Sequence, residues 1–254
     1  MQQTPFMRKN LSTLVSTSCS VVAALFVLGL PGAHAVTLLS YDFGTNANPT
    51  VEDPGLTGGT VTPNFSVGIL GTDWGRSGAG NMFVRARDNA NTNNILPLDG
   101  AGAIANNTYF SFIVTPDVGQ TMDLNSLAFD FGATNSSASN WQSRYSVRSS
   151  LDGFTSTLSF GENLVNTGGA LDLQNASLSL GSAFDNLTSS VTFRIYAYGQ
   201  PVSGLQQSSQ VWRLDNIVLD GTISAIPEPS TYALLAGGLA ALVWLRGRTS
   251  KRTS

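Results

Sequence analysis

WRLDNIVLDG, residues 212–221, places apolar side chains on both faces of an extended chain. Successive side chains of a strand point to opposite sides of its sheet, so this run predicts a strand in the interior of a packed sheet. We expect the strand to be central, to close the domain, and to pair with Leu38–Phe43 near the other end of the chain. The stretch therefore predicts a domain built from β-structure.

Shorter runs of the same kind recur along the chain, separated by Gly, Asn, Asp and Ser. Phe110, Phe112 and Val114 recur with a period of two, which indicates a half-buried strand. Asp152-Gly153 stands between two such runs and is typical of a hairpin. Many short strands at this spacing predict a sandwich or a barrel, and we expect an all-β, two-sheet, jelly-roll-like sandwich. The predicted strands are Thr37–Phe43, Phe65–Leu70, Met82–Arg87, Tyr109–Thr115, Leu124–Phe131, Arg144–Ser149, Ser156–Phe160, Ala170–Leu173, Val191–Tyr198 and Val211–Ile223.

The charge of the chain argues against nucleic-acid binding. The 254 residues carry a net charge of -3, and only 11% of them are charged. The segment from Val36 to Ala225 is more acidic, with seven arginines against fifteen Asp and Glu, a net of -8. A nucleic-acid binder needs a basic surface that displaces the counterions of the phosphates. We expect no nucleic-acid partner.

The same segment lacks the residues that most enzyme chemistry requires. The only His is His34 and the only Cys is Cys19, and Lys is absent between Val36 and Ala225. This excludes a Ser-His-Asp triad, a Cys nucleophile and a typical zinc site. A pair of carboxylates could still cleave glycosidic bonds, but Glu52 and Glu162 both stand in turn-like contexts. The segment is therefore predicted not to be an enzyme.

Residues 1–35 read as a secretory signal peptide with an N-terminal helix. Arg8 and Lys9 precede a short apolar run, Val21–Leu30, and Ala33-His34-Ala35 fits an A-x-A cleavage site. We expect the Sec translocon and signal peptidase as partners, with cleavage after Ala35. The alternative is an uncleaved membrane anchor.

The last residues, 226–254, contain a second targeting pattern. Pro227-Glu228-Pro229 precedes an apolar run, Tyr232–Leu245, and a tail with four basic residues follows. A helix over 230–245 rises about 24 Å, slightly short of a hydrocarbon core of roughly 30 Å. Local thinning of the bilayer or snorkelling of the arginines would close this gap, so we expect a transmembrane helix with its basic tail in the cytoplasm. The alternative is a buried core helix.

This arrangement resembles the PEP-CTERM sorting signal of Gram-negative bacteria, over about residues 226–252. The resemblance implies an exosortase as partner, which would cut near Pro227, Glu228 and Pro229 and release or transfer the exported domain, residues 36–225. Such proteins commonly accompany exopolysaccharide production. The resemblance implies a membrane-anchored precursor that reaches the cell surface or extracellular matrix.

Two kinds of ligand site are predicted in the exported domain. Trp74 and Trp141 lie among amide and hydroxyl side chains, in stretches that we interpret as loops, and could form a glycan-binding platform; the alternative is that they cover the ends of the sandwich. Trp212–Gly221 resembles the last strand of jelly-roll modules, which often hold a structural calcium, and this implies Asp42 and Asp215 as its ligands. No other cofactor is expected.

The sequence thus predicts an exported surface or matrix protein that binds or scaffolds exopolysaccharide without catalysis. A protein-binding adhesin or structural protein is the first alternative. A carboxylate-dependent, glycan-active enzyme is the second.

Overall fold

The computed structural model describes residues 36–90, 92–135, 141–165, 170–201, 210–226 and 229–250. These residues form mostly short strands, with two helices. The strands are β1 (Val36–Tyr41), β2 (Val51–Glu52), β3 (Leu56–Gly58), β4 (Thr62–Asn64), β5 (Trp74–Arg76), β6 (Met82–Arg85), β7 (Tyr109–Pro116), β8 (Gln120–Asn135), β9 (Trp141–Ser149), β10 (Ser159–Val165), β11 (Leu171–Ser179), β12 (Val191–Pro201) and β13 (Gln210–Ala225). The helices are α1 (Gly100–Ala105) and α2 (Pro229–Ser250).

The strands form two antiparallel sheets. The first sheet has the order β11-β8-β13-β1-β2, and β6 and β5 extend it from one end of β13. The second sheet has the order β10-β9-β12-β7-β3, with β4 also paired to β7. Their inner faces share one apolar core. The predicted two-sheet sandwich is therefore confirmed.

Strand β13 is the centre of the first sheet, as the sequence predicts. It pairs with β1, β6 and β8, and Val218 lies opposite both Ser40 and Ala128. The outer face of this strand is less apolar than predicted, because it carries charged side chains beside Val211 and Val218. Arg213 and Asp215 lie on its outer face, and the β-bulge at Asn216, where φ is 46°, returns Ile217 to the core.

Aromatic side chains fill much of the space between the sheets. Trp212 is completely buried, and its ring stacks on Phe110 of the second sheet with the centroids 5.7 Å apart. The indole Nε1 of Trp212 donates to the backbone oxygen of Arg144 at 3.1 Å. Trp212 thus joins the centres of the two sheets by packing and by a hydrogen bond.

Local structure differs from the prediction at several places, and two of them affect the core and helix α1. Phe65–Leu70 is a turn region rather than a strand, and Phe65 turns its ring into the core. Helix α1 was not predicted, because it is only six residues long and only Ala103 of it is buried. Asp99 caps this helix by accepting a hydrogen bond from the N–H of Gly102 at 2.7 Å.

The C-terminal helix begins at Pro229, one residue before the predicted start. Among the residues that the structure describes, no helix is both long and apolar enough to cross a membrane. The structure therefore does not support the predicted transmembrane helix over 230–245. The apolar run Tyr232–Leu245 provides about 21 Å of helix, well short of a hydrocarbon core of roughly 30 Å. The predicted signal helix, residues 1–35, lies outside the described residues.

Candidate functional site

The outer face of the second sheet carries a row of polar side chains beside an exposed ring. Strand alternation turns Tyr145 and Val147 of β9 into the core, so the even-numbered residues of β9 face outward. The register places Arg144 opposite Glu162 of β10, and Gln142 opposite Gln200 of β12. We call Phe160, Glu162, Arg144, Gln142 and Gln200 the polar strip.

Direct contacts hold the members of the polar strip together. A guanidinium nitrogen of Arg144 lies 3.1 Å from a Glu162 carboxylate oxygen and also donates to Gln142 Oε1 at 2.7 Å. Gln200 Nε2 donates to the same Gln142 oxygen at 3.4 Å. The Glu162 side chain is 59% exposed and that of Arg144 is 26% exposed, so both still face solvent. The strip therefore presents planar donors and acceptors in a fixed arrangement.

Phe160 extends the strip to the edge of the sheet. It lies on edge strand β10, on the same face as Glu162, and is 77% exposed. Gly161 between them faces the opposite way, toward the ring of Tyr145. An exposed aromatic ring beside hydrogen-bonding groups is the combination that small-molecule sites use to combine apolar contact with orientation.

The strip adjoins a covered region with unused polar atoms. Helix α1 lies over Tyr198, which is 9% exposed and donates its hydroxyl to the Tyr145 oxygen at 3.3 Å. Burial raises the pKa of Tyr198, although Arg144 partly opposes this. Ser146 Oγ and Arg144 Nε are buried and have no hydrogen-bond partner within the described part of the chain. A buried polar atom without a partner costs about 1–3 kcal/mol, so a ligand group that reached either atom would gain affinity.

The two tryptophans predicted as a glycan platform lie in different sheets. Trp141 is the first residue of β9 rather than a loop residue, and it is only 1% exposed. Its ring packs against Gly199, where a Cβ atom would lie 2.5 Å from the indole. Trp74 belongs to the other sheet, is half-buried, and donates its Nε1 to the Val67 oxygen at 3.1 Å. A covered ring cannot stack on a sugar. In the candidate site the exposed ring is therefore that of Phe160 and not that of Trp141.

The two predicted calcium ligands, Asp42 and Asp215, lie close enough to interact electrostatically. Burial raises the pKa of Asp215, and the neighbouring carboxylates of Asp130 and Asp42 raise it further. Asp130 lies directly opposite Asp215 in β8. Hydrogen bonds from the backbone of Gly44 and from Thr50 lower the pKa of Asp42. Over the described ranges, no group of three or more His, Cys, Asp or Glu residues is placed to hold a metal ion.

The predicted processing residues lie mostly outside the described part of the chain. This holds for Ala33 and Ala35 of the signal cleavage site and for Pro227 and Glu228 of the sorting motif. Pro229 is described and is the first residue of α2. Proline suits the first position of a helix, because its missing N–H would have no partner there in any case.

Comparison with known proteins yields one family match, at the C-terminal end. The family described as the PEP-CTERM protein-sorting motif matches residues 225–248. No curated protein matches the chain in sequence.

Several solved structures resemble the chain at low identity. The K1 cleaved adhesin domain of Lys-gingipain from Porphyromonas gingivalis W83 is 14% identical, with 74% of this chain and 98% of that chain covered and a TM-score of 0.35. The carbohydrate-binding module TmCBM27, for which specific mannan recognition is described, is 10% identical, with coverages of 75% and 99% and a TM-score of 0.38. A CBM4 structure is 9% identical, with coverages of 72% and 92% and a TM-score of 0.31. At these TM-scores the likenesses carry no argument about the site. The match to residues 225–248 confirms the predicted C-terminal motif: the chain carries a PEP-CTERM protein-sorting motif.

Proposed function

We propose that this is an exported surface or matrix protein, processed by an exosortase, whose sandwich binds extracellular polysaccharide through the polar strip without catalysis. The observation that carries the proposal is Phe160, 77% exposed beside the hydrogen-bonded row Glu162–Arg144–Gln142–Gln200. The sorting motif supports delivery to the cell surface.

The chemistry of the strip suits a sugar. A pyranose offers an apolar face of C–H groups and a rim of hydroxyls, each of which both donates and accepts. Phe160 would contact the apolar face, Glu162 and Gln142 would accept from hydroxyls, and Arg144 and Gln200 would donate to them. The ion pair leaves the strip without excess charge, so it favours neutral sugar residues.

The same arrangement argues against bond cleavage at the strip. A glycosidase uses two carboxyl groups, about 5–10 Å apart, on opposite sides of the scissile bond. The polar strip contains one carboxylate, Glu162, and Arg144 is ion-paired with it. We therefore assign the strip to binding rather than hydrolysis.

Binding of the purified full-length chain to an array of immobilised polysaccharides tests this function. We expect Phe160→Ala to weaken binding by about tenfold or more, since the variant removes the stacking ring, about 1.4 kcal/mol of affinity. Leu171→Ala is the matched control, because Leu171 is also an exposed apolar residue, 46% exposed, on edge strand β11 of the other sheet. Equal binding by both variants would contradict the strip. Capture of proteins with no polysaccharide bound would favour the adhesin alternative instead.

The same proposal includes processing at both ends. We infer that signal peptidase cuts after Ala35, with Ala33 and Ala35 as the small residues that it recognises, and that exosortase acts at Pro227-Glu228-Pro229. Mass spectrometry of the protein recovered from the cell surface tests both sites. Recovery of a chain that retains residues 1–35 or 226–254 would contradict the corresponding cleavage.

A further inference from the structure

A cleft of about 290 Å³ lies on the outer face of the first sheet, on the side opposite the polar strip. Its lining includes three arginines (Arg76, Arg85 and Arg213), two hydroxyl side chains and one ring. We call it the arginine cleft and define it by Thr72, Ser77, Phe83, Arg85 and Arg213.

The pairing of β6 with β13 places the guanidinium groups of Arg85 and Arg213 at this cleft. In β6, Met82 and Val84 enter the core, so Phe83 and Arg85 face outward. Arg213 of β13 lies opposite Phe83, one step diagonally from Arg85. Diagonal neighbours of an antiparallel pair are about 7–8 Å apart, within reach of long side chains. The Arg213 guanidinium lies 5.5 Å from the centre of the Phe83 ring.

The hydrogen bonds of Arg213 hold it in place and do not neutralise it. Its Nε donates to Thr134 Oγ1 at 3.2 Å, and its Nη1 donates to Asn81 Oδ1 at 2.8 Å. Within the described ranges, no carboxylate lies within 4 Å of this guanidinium. Burial lowers the pKa of Arg213, and the nearby charge of Arg85 lowers it further.

Arg85 is only partly compensated. Its Nε donates to the Thr72 oxygen at 3.0 Å, and the nearest carboxylate oxygen, of Asp73, lies 3.9 Å away. That same oxygen already accepts from the N–H of Asn89 at 2.9 Å. The terminal nitrogens of Arg85 have no hydrogen-bond partner among the described residues, and the side chain is 33% exposed. Arg85 and Arg213 therefore place two like charges side by side in the cleft with little counter-charge.

A third arginine braces the wall of the cleft. Arg76 Nη1 donates to the backbone oxygens of Phe43, Gly44 and Ser77, at 3.0, 3.0 and 3.1 Å. These bonds tie the segment after β5 to the segment after β1. The wall near Ser77 is consequently fixed before any ligand arrives, which lowers the entropic cost of binding.

We propose that the arginine cleft binds an oxyanion, the carboxylate or sulfate of one acidic sugar residue in an extracellular polysaccharide. Guanidinium groups donate in a planar fork that matches these anions, and guanidiniums with little counter-charge gain most from a ligand of opposite charge. The volume, about 290 Å³, is at the lower end of ligand pockets and suits a single residue. Thr72 and Ser77 would meet its hydroxyls.

The inference rests on the proposed function for the polymeric nature of the ligand, but its site is separate. The domain carries a net charge of -8, so general attraction of anions does not explain such binding. Specific contacts in the cleft would have to supply it. This separation lets one set of variants test the cleft and another test the polar strip.

Calorimetric titration of the full-length chain with polygalacturonate, dextran sulfate and neutral dextran tests the inference. We expect Arg85→Gln and Arg213→Gln each to weaken anion binding at least about tenfold, the loss of one charge-assisted contact, and to leave neutral-polymer binding unchanged. Arg87→Gln is the matched control, because it removes the same charge two residues from Arg85 and outside the cleft lining. Since Arg213 is hydrogen-bonded in the fold, the more exposed Arg85 keeps the test valid if Arg213→Gln unfolds.

Each outcome decides the question. Binding of polygalacturonate alone identifies a carboxylate, and binding of dextran sulfate alone identifies a sulfate. Failure of the wild-type chain to bind either anion overturns the proposal, as does an equal loss in Arg87→Gln or no loss in Arg85→Gln. If binding of a neutral polysaccharide is still weakened by Phe160→Ala in these cases, the proposed function stands and only the cleft is rejected.

Discussion

The outer faces of the two sheets use arginine in opposite ways. On the second sheet, Arg144 pairs with Glu162 at 3.1 Å and also bonds Gln142, so its charge is matched. On the first sheet, Arg213 is half-buried beside Arg85, and among the described residues Asp73 is the one carboxylate that approaches the pair, at 3.9 Å from Arg85. An arginine whose charge is compensated forms a polar surface suited to hydroxyl groups, whereas an arginine with little counter-charge favours binding of an anion. The two faces therefore differ in the partner of their arginines rather than in whether arginine is present.

The largest effect is expected at Trp212, which belongs to the first sheet and contacts the second. Trp212→Ala removes a completely buried ring that packs on Phe110 and donates to the Arg144 backbone. We expect the free energy of unfolding to fall by about 3–5 kcal/mol, measured by denaturant titration. Both the polar strip and the arginine cleft should lose binding together. Val118→Ala, at a fully exposed position, is the control; a loss below about 1 kcal/mol in the tryptophan variant would contradict the role of this contact.

A smaller effect is expected for the ion pair of the polar strip. A double-mutant cycle with Arg144→Gln and Glu162→Gln should give a coupling free energy below about 1 kcal/mol in stability, because both side chains face solvent. The coupling should decrease when salt rises from about 0.1 M to about 1 M, since the Debye length falls from about 10 Å to about 3 Å. A coupling well above this range, or one that ignores salt, would show that the pair is buried.

A further small effect is expected at Asp215, on the outer face of β13. Asp215→Asn removes a carboxyl group whose pKa is raised by burial and by the charges of Asp130 and Asp42. A raised carboxyl pKa opposes folding at neutral pH, and this penalty disappears as the pH falls through the folded pKa. We therefore expect the variant to be slightly more stable at neutral pH, by about 0.5 kcal/mol at most.

Thermal unfolding with and without calcium tests the proposed ligand pair, Asp42 and Asp215. If calcium bridges them, it should stabilise the wild type and leave Asp215→Asn unaffected. Identical melting temperatures with calcium and with a chelator would reject that site.

The smallest effect is expected at the turn between β9 and β10. Hydrogen bonds from Ser156 and Thr155 lower the pKa of Asp152 from 3.8 to about 2. A depressed folded pKa contributes stability above the unfolded value, and this contribution is lost as pH falls from about 4 to about 2. Hydrogen exchange of β9 and β10 should therefore accelerate over this range in the wild type. The change should be reduced in Asp152→Asn, whereas the strands around the arginine cleft should serve as the internal reference.

Several patterns of consecutive residues were predicted correctly. The apolar run at 212–221 led to β13 and its pairing with β1, and Asp152-Gly153 led to the hairpin between β9 and β10, with Gly153 at a φ of 70°. Gly adopts such a positive φ without steric cost, so this signal needs no distant partner. The C-terminal motif was found in the same way, from consecutive residues.

The candidate sites were predicted less well, because each depends on residues from distant segments. The platform hypothesis requires an exposed Trp141 among its polar neighbours in sequence, but Gly199 of β12 leaves space for its ring inside the sandwich, as in the alternative that the ring is covered. Phe160 was predicted to end a strand without any indication that its ring would be exposed. Local polarity describes the chain next to a residue, whereas burial depends on what the rest of the fold places over it.

The sequence by itself determined the class of fold, the acidic charge of the exported segment, the absence of His, Cys and Lys from it, and the sorting motif, since all of these are carried by composition or by consecutive residues. Only the tertiary structure decided which arginines are paired. Antiparallel register places Arg144 opposite Glu162 and places Arg213 diagonally beside Arg85. The strands of the second pair, β6 and β13, are far apart in the chain. A shift of one residue in either register would turn these side chains to the opposite face, which is why pairing of charges cannot be read from the order of residues alone.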